Sequence, residues 1–330
     1  MKRLIPILLL AATSIFAQTP PDVAKALESH DRGVDRAFED TQRHIDDALW
    51  YFKLGDVANI QKYRIASTKP RRETNATAMS AGNMLVIPVY VFAPKNLSGN
   101  APVLVFAHGG VHGRLDTNYA HIFREALERG FVIVSPEYRG SIGHGSDLYN
   151  QIDYGGAEID DTHDARNWAV ENLPNVDPNR VGIFGWSHGG YHALMNVMNW
   201  PNDYKVAYAG VPVSDLVARM GYTGQDYRDI FEGFIGKQPE DNVMEFRRRS
   251  PVYHADKLQT PLLIHTTTND DDVHVLEVEH LIAALKAAGK KFEYKIYQAA
   301  PGAHQFNRID TKLAKESRRE MWEFLARYLK

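Results

Sequence analysis

Asp177-Pro178-Asn179-Arg180-Val181-Gly182-Ile183-Phe184-Gly185-Trp186-Ser187-His188-Gly189-Gly190-Tyr191 reads as a turn, an apolar strand, a Gly-x-Ser-x-Gly step and the start of a helix. A serine between glycines on a strained strand-to-helix turn has the form of a nucleophile elbow. A Cβ at the flanking positions would strike the strand or the helix, while the serine hydroxyl stands clear of the sheet. At a helix N-terminus that hydroxyl also meets free N–H groups and the positive end of the helix dipole, which favour developing negative charge. Ser187 is therefore the candidate nucleophile, with an ordinary serine in a glycine-rich turn as the alternative.

On either side of this stretch, strands alternate with helices. Strands are expected at Met84–Phe92, with an interrupting Pro88, and at Val103–Ala107, Phe131–Ser135, Val181–Phe184, Pro261–Thr266 and Phe292–Tyr297. Helices are expected at Asn118–Arg129, Glu158–Asn172, Leu276–Ala288 and Thr311–Tyr328. That order implies an α/β fold, a mostly parallel, doubly wound sheet with helices on both faces. Ahead of it, residues 22–64 carry apolar residues at helical spacing, such as Val23, Ala26, Leu27, Ile45, Leu49 and Phe52, and a turn-rich stretch follows. The expected organisation is a helical N-terminal extension and linker over 18–80 and a catalytic domain over 81–330.

A nucleophilic serine needs a base and an orienting carboxylate, which in such a sheet follow it in the order Ser, Asp, His after later strands. The strand at Leu262-Leu263-Ile264-His265 leads to Asp270-Asp271-Asp272, and the strand ending at Tyr297 leads to Gly302-Ala303-His304. His304 is the candidate base, and spacing alone leaves the three aspartates open. An oxyanion hole needs two backbone N–H groups, one after the serine and one from a loop after an earlier strand. His188 and Gly110, in His108-Gly109-Gly110, are the candidates, and His108 is expected to brace that loop.

Composition removes other chemistries. The 330 residues contain no cysteine, which excludes disulfides, thiolate metal sites and cysteine nucleophiles. Thirty-eight basic against 41 acidic residues offer no positive field for nucleic acid or anionic lipid. The fourteen histidines form no His-Glu-x-x-His string; His108 with His112, and His274 with His280, read as loop and surface residues, so neither metal nor cofactor is expected. Arg247-Arg248-Arg249 reads as a solvated helix face, and Asp160-Asp161 as favourable charge at a helix N-terminus. Met1-Lys2-Arg3, an apolar run and Ala17 form a signal-peptide pattern over residues 1–17, too short to span a bilayer. The expected location is periplasmic or extracellular, with no membrane attachment once the signal is removed.

Together, His108-Gly109-Gly110, Glu137-Tyr138-Arg139-Gly140-Ser141, Gly155-Gly156-Ala157-Glu158-Ile159-Asp160-Asp161 and Gly185-Trp186-Ser187-His188-Gly189-Gly190-Tyr191 resemble the catalytic domain of the prolyl oligopeptidase family of serine peptidases. The resemblance runs from about residue 84 and implies an α/β-hydrolase fold. In that family the catalytic aspartate stands three residues before a valine, which selects Asp270 ahead of Val273. Larger members place a β-propeller before this domain. Only about 80 residues stand there in this chain, so the resemblance implies a site open to larger substrates. The residue after the nucleophile, commonly tyrosine, is His188. The proline-holding aromatics of dipeptidyl members are absent after Val211-Pro212-Val213-Ser214, where Leu216 and Arg219 stand; Tyr222, Tyr227, Phe231 and Phe234 are the substitutes available to line a substrate pocket.

The expected activity is cofactor-free acyl transfer on small peptides, with a carboxylesterase acting on small or polymer-linked esters as the alternative. A non-catalytic binding protein on the same fold is the reading from another class.

Overall fold

The computed structural model describes residues 21–73, 82–97 and 99–330. The expected signal peptide over residues 1–17 lies outside them. Eight strands form one sheet: β1 (Ala58–Pro70), β2 (Met84–Pro94), β3 (Ala101–Ala107), β4 (Val132–Pro136), β5 (Val176–Trp186), β6 (Val206–Gly210), β7 (Leu262–Thr267) and β8 (Glu293–Tyr297). Their spatial order is β1-β2-β4-β3-β5-β6-β7-β8. β1 pairs antiparallel with β2, and β2 antiparallel with β4; every later pairing is parallel. Among the described residues the α-helices are α1 (Pro21–Leu54), α2 (Ala120–Leu127), α3 (Ser146–Tyr149), α4 (Ala157–Asn172), α5 (His188–Asn199), α6 (Leu216–Tyr222), α7 (Gln225–Ile235), α8 (Val243–Arg248), α9 (Val275–Ala287) and α10 (Lys312–Leu329).

A strand flanked by parallel neighbours and covered on both faces must be apolar throughout, and all seven residues of β3 are buried. Its side chains alternate between two cores. Val103 and Val105 join Ala165 of α4, Leu194 of α5 and Leu281 of α9, while Leu104 and Phe106 join Trp50 of α1, Phe123 of α2 and Leu325 of α10. A third cluster, with Tyr154, Tyr191, Leu216, Met220, Phe231 and Phe246, gathers α6, α7 and α8, the excursion between β6 and β7, over one end of α5.

The N-terminal region differs from its expected organisation. One helix, Pro21–Leu54, covers most of residues 22–64, where helical spacing was read, but 58–70, assigned to the helical extension and linker, form edge strand β1 of the main sheet. Its burial alternates at Ala58 and Ile60 and again at Ile65 and Ser67, with Lys62 and Arg64 between, which is strand periodicity broken by charge. β2 tolerates Pro88 because the register with β4 begins only at Val89, so the missing N–H falls beyond the end of that neighbour. The last turns of α1 belong to the core: Trp50 and Leu54 are fully buried, and Trp50 stacks on Phe123 with ring centroids 5.5 Å apart. Asp46 binds Arg114 and Thr117, each at 2.9 Å, tying α1 to the loop that follows β3.

Asp161 is not a surface charge at a helix end. It is fully buried and receives Arg139 Nε at 2.8 Å and Nη2 at 2.9 Å, because it lies on the inward face of α4. Arg249 likewise turns inward to Asp153 at 2.7 Å, leaving Arg247 and Arg248 as the exposed members of that triplet.

Removal of the Trp50 ring leaves a cavity between α1 and α2. Trp50→Ala is expected to lower the unfolding free energy by about 3–5 kcal/mol in a denaturant titration. A loss under about 1 kcal/mol would show that α1 is an appendage after all.

Candidate active site

The sequence folds as an elbow at Ser187 because its neighbours lack Cβ atoms. Ser187 has φ 58° and ψ −122°, outside the usual regions, and its N–H donates to Gly210 O at 2.9 Å. A Cβ on Gly189 would lie 2.0 Å from Ala107 O, and one on Gly185 would lie 2.5 Å from the Gly189 carbonyl carbon. His188, the first residue of α5, has an N–H with no intrahelical acceptor. Gly110, at φ +76°, follows β3.

His304 lies in the turn after β8 and Asp270 in the loop after β7. The imidazole Nδ1 is 2.9 Å from both Asp270 oxygens, so Nδ1–H donates to that carboxylate and Nε2 is left for other partners. Asp270 also accepts the N–H groups of Asp272 at 3.0 Å and Val273 at 2.8 Å, which fix its rotamer. The other two aspartates are occupied differently. Asp271 accepts the backbone N–H of His304 at 3.2 Å, and Asp272 takes Arg219 Nη2 at 2.7 Å. Burial opposes ionisation of Asp272, but the Arg219 charge and then His304 outweigh it and hold its carboxyl below the ordinary value.

Ser187 and His304 line one cavity of about 1190 Å³, together with Gly109, Gly110, Tyr119 and Asp272. Its far wall carries charges of both signs, Arg124, Glu125, Lys315 and Arg318 among them. The Ser187 hydroxyl makes no hydrogen bond to His304 here; such bonds commonly close only around a bound substrate. The loop behind Gly110 is braced by buried groups. His108 Nε2 lies 2.9 Å from Ser141 Oγ, and its ring stacks on Tyr138. Glu137 accepts Leu115 N–H at 3.0 Å; burial opposes its charge, but His108 and His144 hold the carboxyl well below its usual range.

The candidate substrate residues are placed elsewhere. None of Tyr222, Tyr227 and Phe231 lines the cavity that holds Ser187. Phe231 is buried in the third cluster, and Phe234 packs against it. Tyr227 accepts Arg219 Nε at 2.8 Å, while Tyr222 bonds both Arg219 and Glu277. Arg219 is 4% exposed and also binds Glu277 at 3.0 Å, so it is the hub of a buried polar network. From the sequence, Glu158 had a place only as part of a family landmark, Glu277 no role of its own, and His192 none, although His188 and His192 stand four residues apart on one helix face, a spacing that brings two imidazoles together. Burial pushes His192 well below the usual imidazole value, reinforced by His188.

A family model described as the prolyl oligopeptidase family matches residues 118–330. The chain belongs to the prolyl oligopeptidase family. Curated relatives include the uncharacterized peptidase YuxL of Bacillus subtilis, 30% identical over 231 residues, covering 66% of this chain and 33% of the relative. The dipeptidyl aminopeptidase BIII of Pseudoxanthomonas mexicana is 26% identical over 222 residues, covering 63% of this chain and 32% of its own length. The chain thus spans about a third of these prolyl oligopeptidase relatives. Among solved structures, a Pyrococcus horikoshii acylaminoacyl peptidase superposes with a TM-score of 0.69 at 21% identity, covering 84% of this chain and 43% of that one. A puromycin-hydrolyzing peptidase of Mycobacterium tuberculosis gives 0.65 at 24% identity, covering 74% and 37%. These likenesses carry the α/β-hydrolase fold of the family's catalytic domain.

The three aspartates separate by substitution. Asp270→Asn is expected to lower kcat by about 10⁴ through the wrong imidazole tautomer, with Asp271→Asn and Asp272→Asn far milder. Steady-state rates for the three variants decide this; if Asp271→Asn were the most damaging, the partner of His304 would be misassigned.

Proposed function

We propose that the protein is a serine peptidase acting on short peptides by acyl transfer, with Ser187 as nucleophile, His304 as general base and acid, and Asp270 as the carboxylate that orients the imidazole. The observation that carries this reading is the Asp270-bound His304 opening onto the same cavity as a strained Ser187. In the first step Ser187 Oγ attacks the substrate carbonyl as its proton passes to His304 Nε2, and the oxyanion meets the N–H groups of His188 and Gly110. His304 then protonates the leaving amine. Water, deprotonated by the same imidazole, releases the acyl group and restores Ser187. The peptidase names of the family relatives favour an amide substrate, and the same groups also cleave esters.

Specificity for proline is weak in this reading. Leu216 is fully buried, and Arg219 holds Tyr222 and Tyr227 by hydrogen bonds to their phenol oxygens, so no apolar ring box faces the nucleophile. Export rests on the signal-peptide pattern at the N-terminus, with cleavage after Ala17.

Ser187→Ala is expected to abolish fluorophosphonate labelling and to cost on the order of 10⁴–10⁶ in kcat while leaving the fold intact. Labelling that persists would place the nucleophile elsewhere and revive a non-catalytic role for Ser187. Matched proline and alanine amides should differ by about 10-fold or less in kcat/KM; a preference above about 100-fold would mean that an aromatic box forms around the substrate. Rates on an acetyl aryl ester far above those on every amide tested would favour the carboxylesterase. For export, the N-terminus of protein recovered outside the cytoplasm should begin at Gln18, and a retained Met1 would refute cleavage.

A further inference from the structure

Behind the elbow, three ligand-type side chains converge that the proposed reaction does not use. Nε2 of His188, Nε2 of His192 and Oε1 of Glu158 form a triangle with sides of 3.2, 3.3 and 3.7 Å. All three residues are buried, Glu158 and His192 completely. A point equidistant from these atoms lies about 2.0 Å from each, which is the length of a zinc bond to imidazole nitrogen or carboxylate oxygen.

Two helices build this convergence. His188 and His192 are four residues apart on α5, so both imidazoles share one face, and Glu158 enters from the first turn of α4. The surrounding atoms are set as they are around metal ligands. His192 Nδ1 lies 2.8 Å from Thr162 Oγ1; donation to that hydroxyl leaves the Nε2 lone pair facing the centre of the triangle. Gly155 N–H donates to Glu158 Oε1 at 2.9 Å and orients the carboxylate.

Two polar atoms of the cluster, Glu158 Oε2 and His188 Nδ1, are buried without a hydrogen-bond partner among the described residues. Among those residues, the ion-pair partners of Glu158 are these two imidazoles, and no lysine or arginine reaches it. A fully buried carboxylate is costly without a cation beside it.

We propose that Glu158, His188 and His192 bind a divalent transition-metal ion of the zinc type. Two imidazole nitrogens and one carboxylate oxygen, with no thiolate, suit zinc and its neighbours in the first transition row; calcium and magnesium prefer all-oxygen sites. None of the three residues lines the cavity that holds Ser187, so the ion positions rather than reacts. It locks the ring of His188, and with it the N–H assigned to the oxyanion. That last role rests on the acyl-transfer reading; the binding itself does not.

The test is the metal content of untagged full-length protein by plasma mass spectrometry, read beside thermal melting. Wild type is expected to hold about one zinc per chain, to lose it and melt lower after dialysis against 1,10-phenanthroline, and to recover both on zinc addition. Cobalt in its place should give the visible bands of a low-coordinate site. Glu158→Gln and His192→Asn should each drop below about one tenth of an equivalent. Wild type with under about a tenth of an equivalent and a melt indifferent to added zinc would overturn the proposal, as would full zinc content in a folded His192→Asn. The wild-type measurement stands even if a variant fails to fold. Ser187→Ala should keep its zinc, so loss of that variant's hydrolysis and loss of the metal site are separate results.

Discussion

The active end of the sheet depends on a backbone approach that no side chain could survive. β3 and β5 are neighbours in register, with Ala107 opposite Gly185, and α5 turns back over their ends so closely that Gly189 meets the Ala107 carbonyl. Any larger residue at 185 or 189 would push α5 away from β3. The same approach carries Ser187 at its positive φ and brings Gly189 of α5 against the carbonyls of Ala107 and His108. The candidate nucleophile and the loop that carries a candidate oxyanion donor are therefore spaced by strand pairing rather than by loop packing.

Around that contact, carboxylates tie the loops at the strand ends, each to its own partner; three of the four are buried, and Asp272 is half exposed. Asp270 holds His304, Asp272 holds Arg219, Glu137 holds the N–H of Leu115, and Asp161 holds Arg139. Removing one partner from such a pair strands the other charge in a poor solvent for it, so the loops are pinned by the cost of separation more than by the attraction itself. Three consecutive aspartates at 270–272 thus do three different things, decided by which partner each one's backbone position reaches.

The parallel strands were legible because a run such as Val103–Ala107 has no other stable home than a sheet covered on both faces, and the elbow was legible because its glycines are sterically required. Position 270 was not legible from spacing, since adjacent carboxylates differ only in three-dimensional direction; the family resemblance supplied it. β1 escaped because Lys62 and Arg64 interrupt its two-residue period and it follows directly on a long helix. The aromatics at 222, 227 and 231 were sought as substitutes for the proline-holding aromatics of the dipeptidyl members that the sequence resembles. Arg219 redirects two of them: a buried guanidinium needs several acceptors, and the phenol oxygens supply them. The meeting of Glu158 with His188 and His192 joins two elements distant in sequence, which local reading cannot foresee.

The family match begins at residue 118, yet the physical unit begins earlier. β1 and β2 extend the sheet past β4; without them the β4 edge would present unpaired N–H and C=O groups beside the buried Glu137 loop. Asp46 of α1 holds Arg114 and Thr117 just downstream of Gly110, and Trp50 fills the space between β2 and α2. The loop that carries one of the two candidate oxyanion donors is therefore fixed from behind by a helix outside the matched region. A boundary at 80 or at 118 would cut through that support, so the structural unit runs from the last turns of α1 to the C-terminal helix, and Lys53 of α1 itself lines the cavity that holds Ser187.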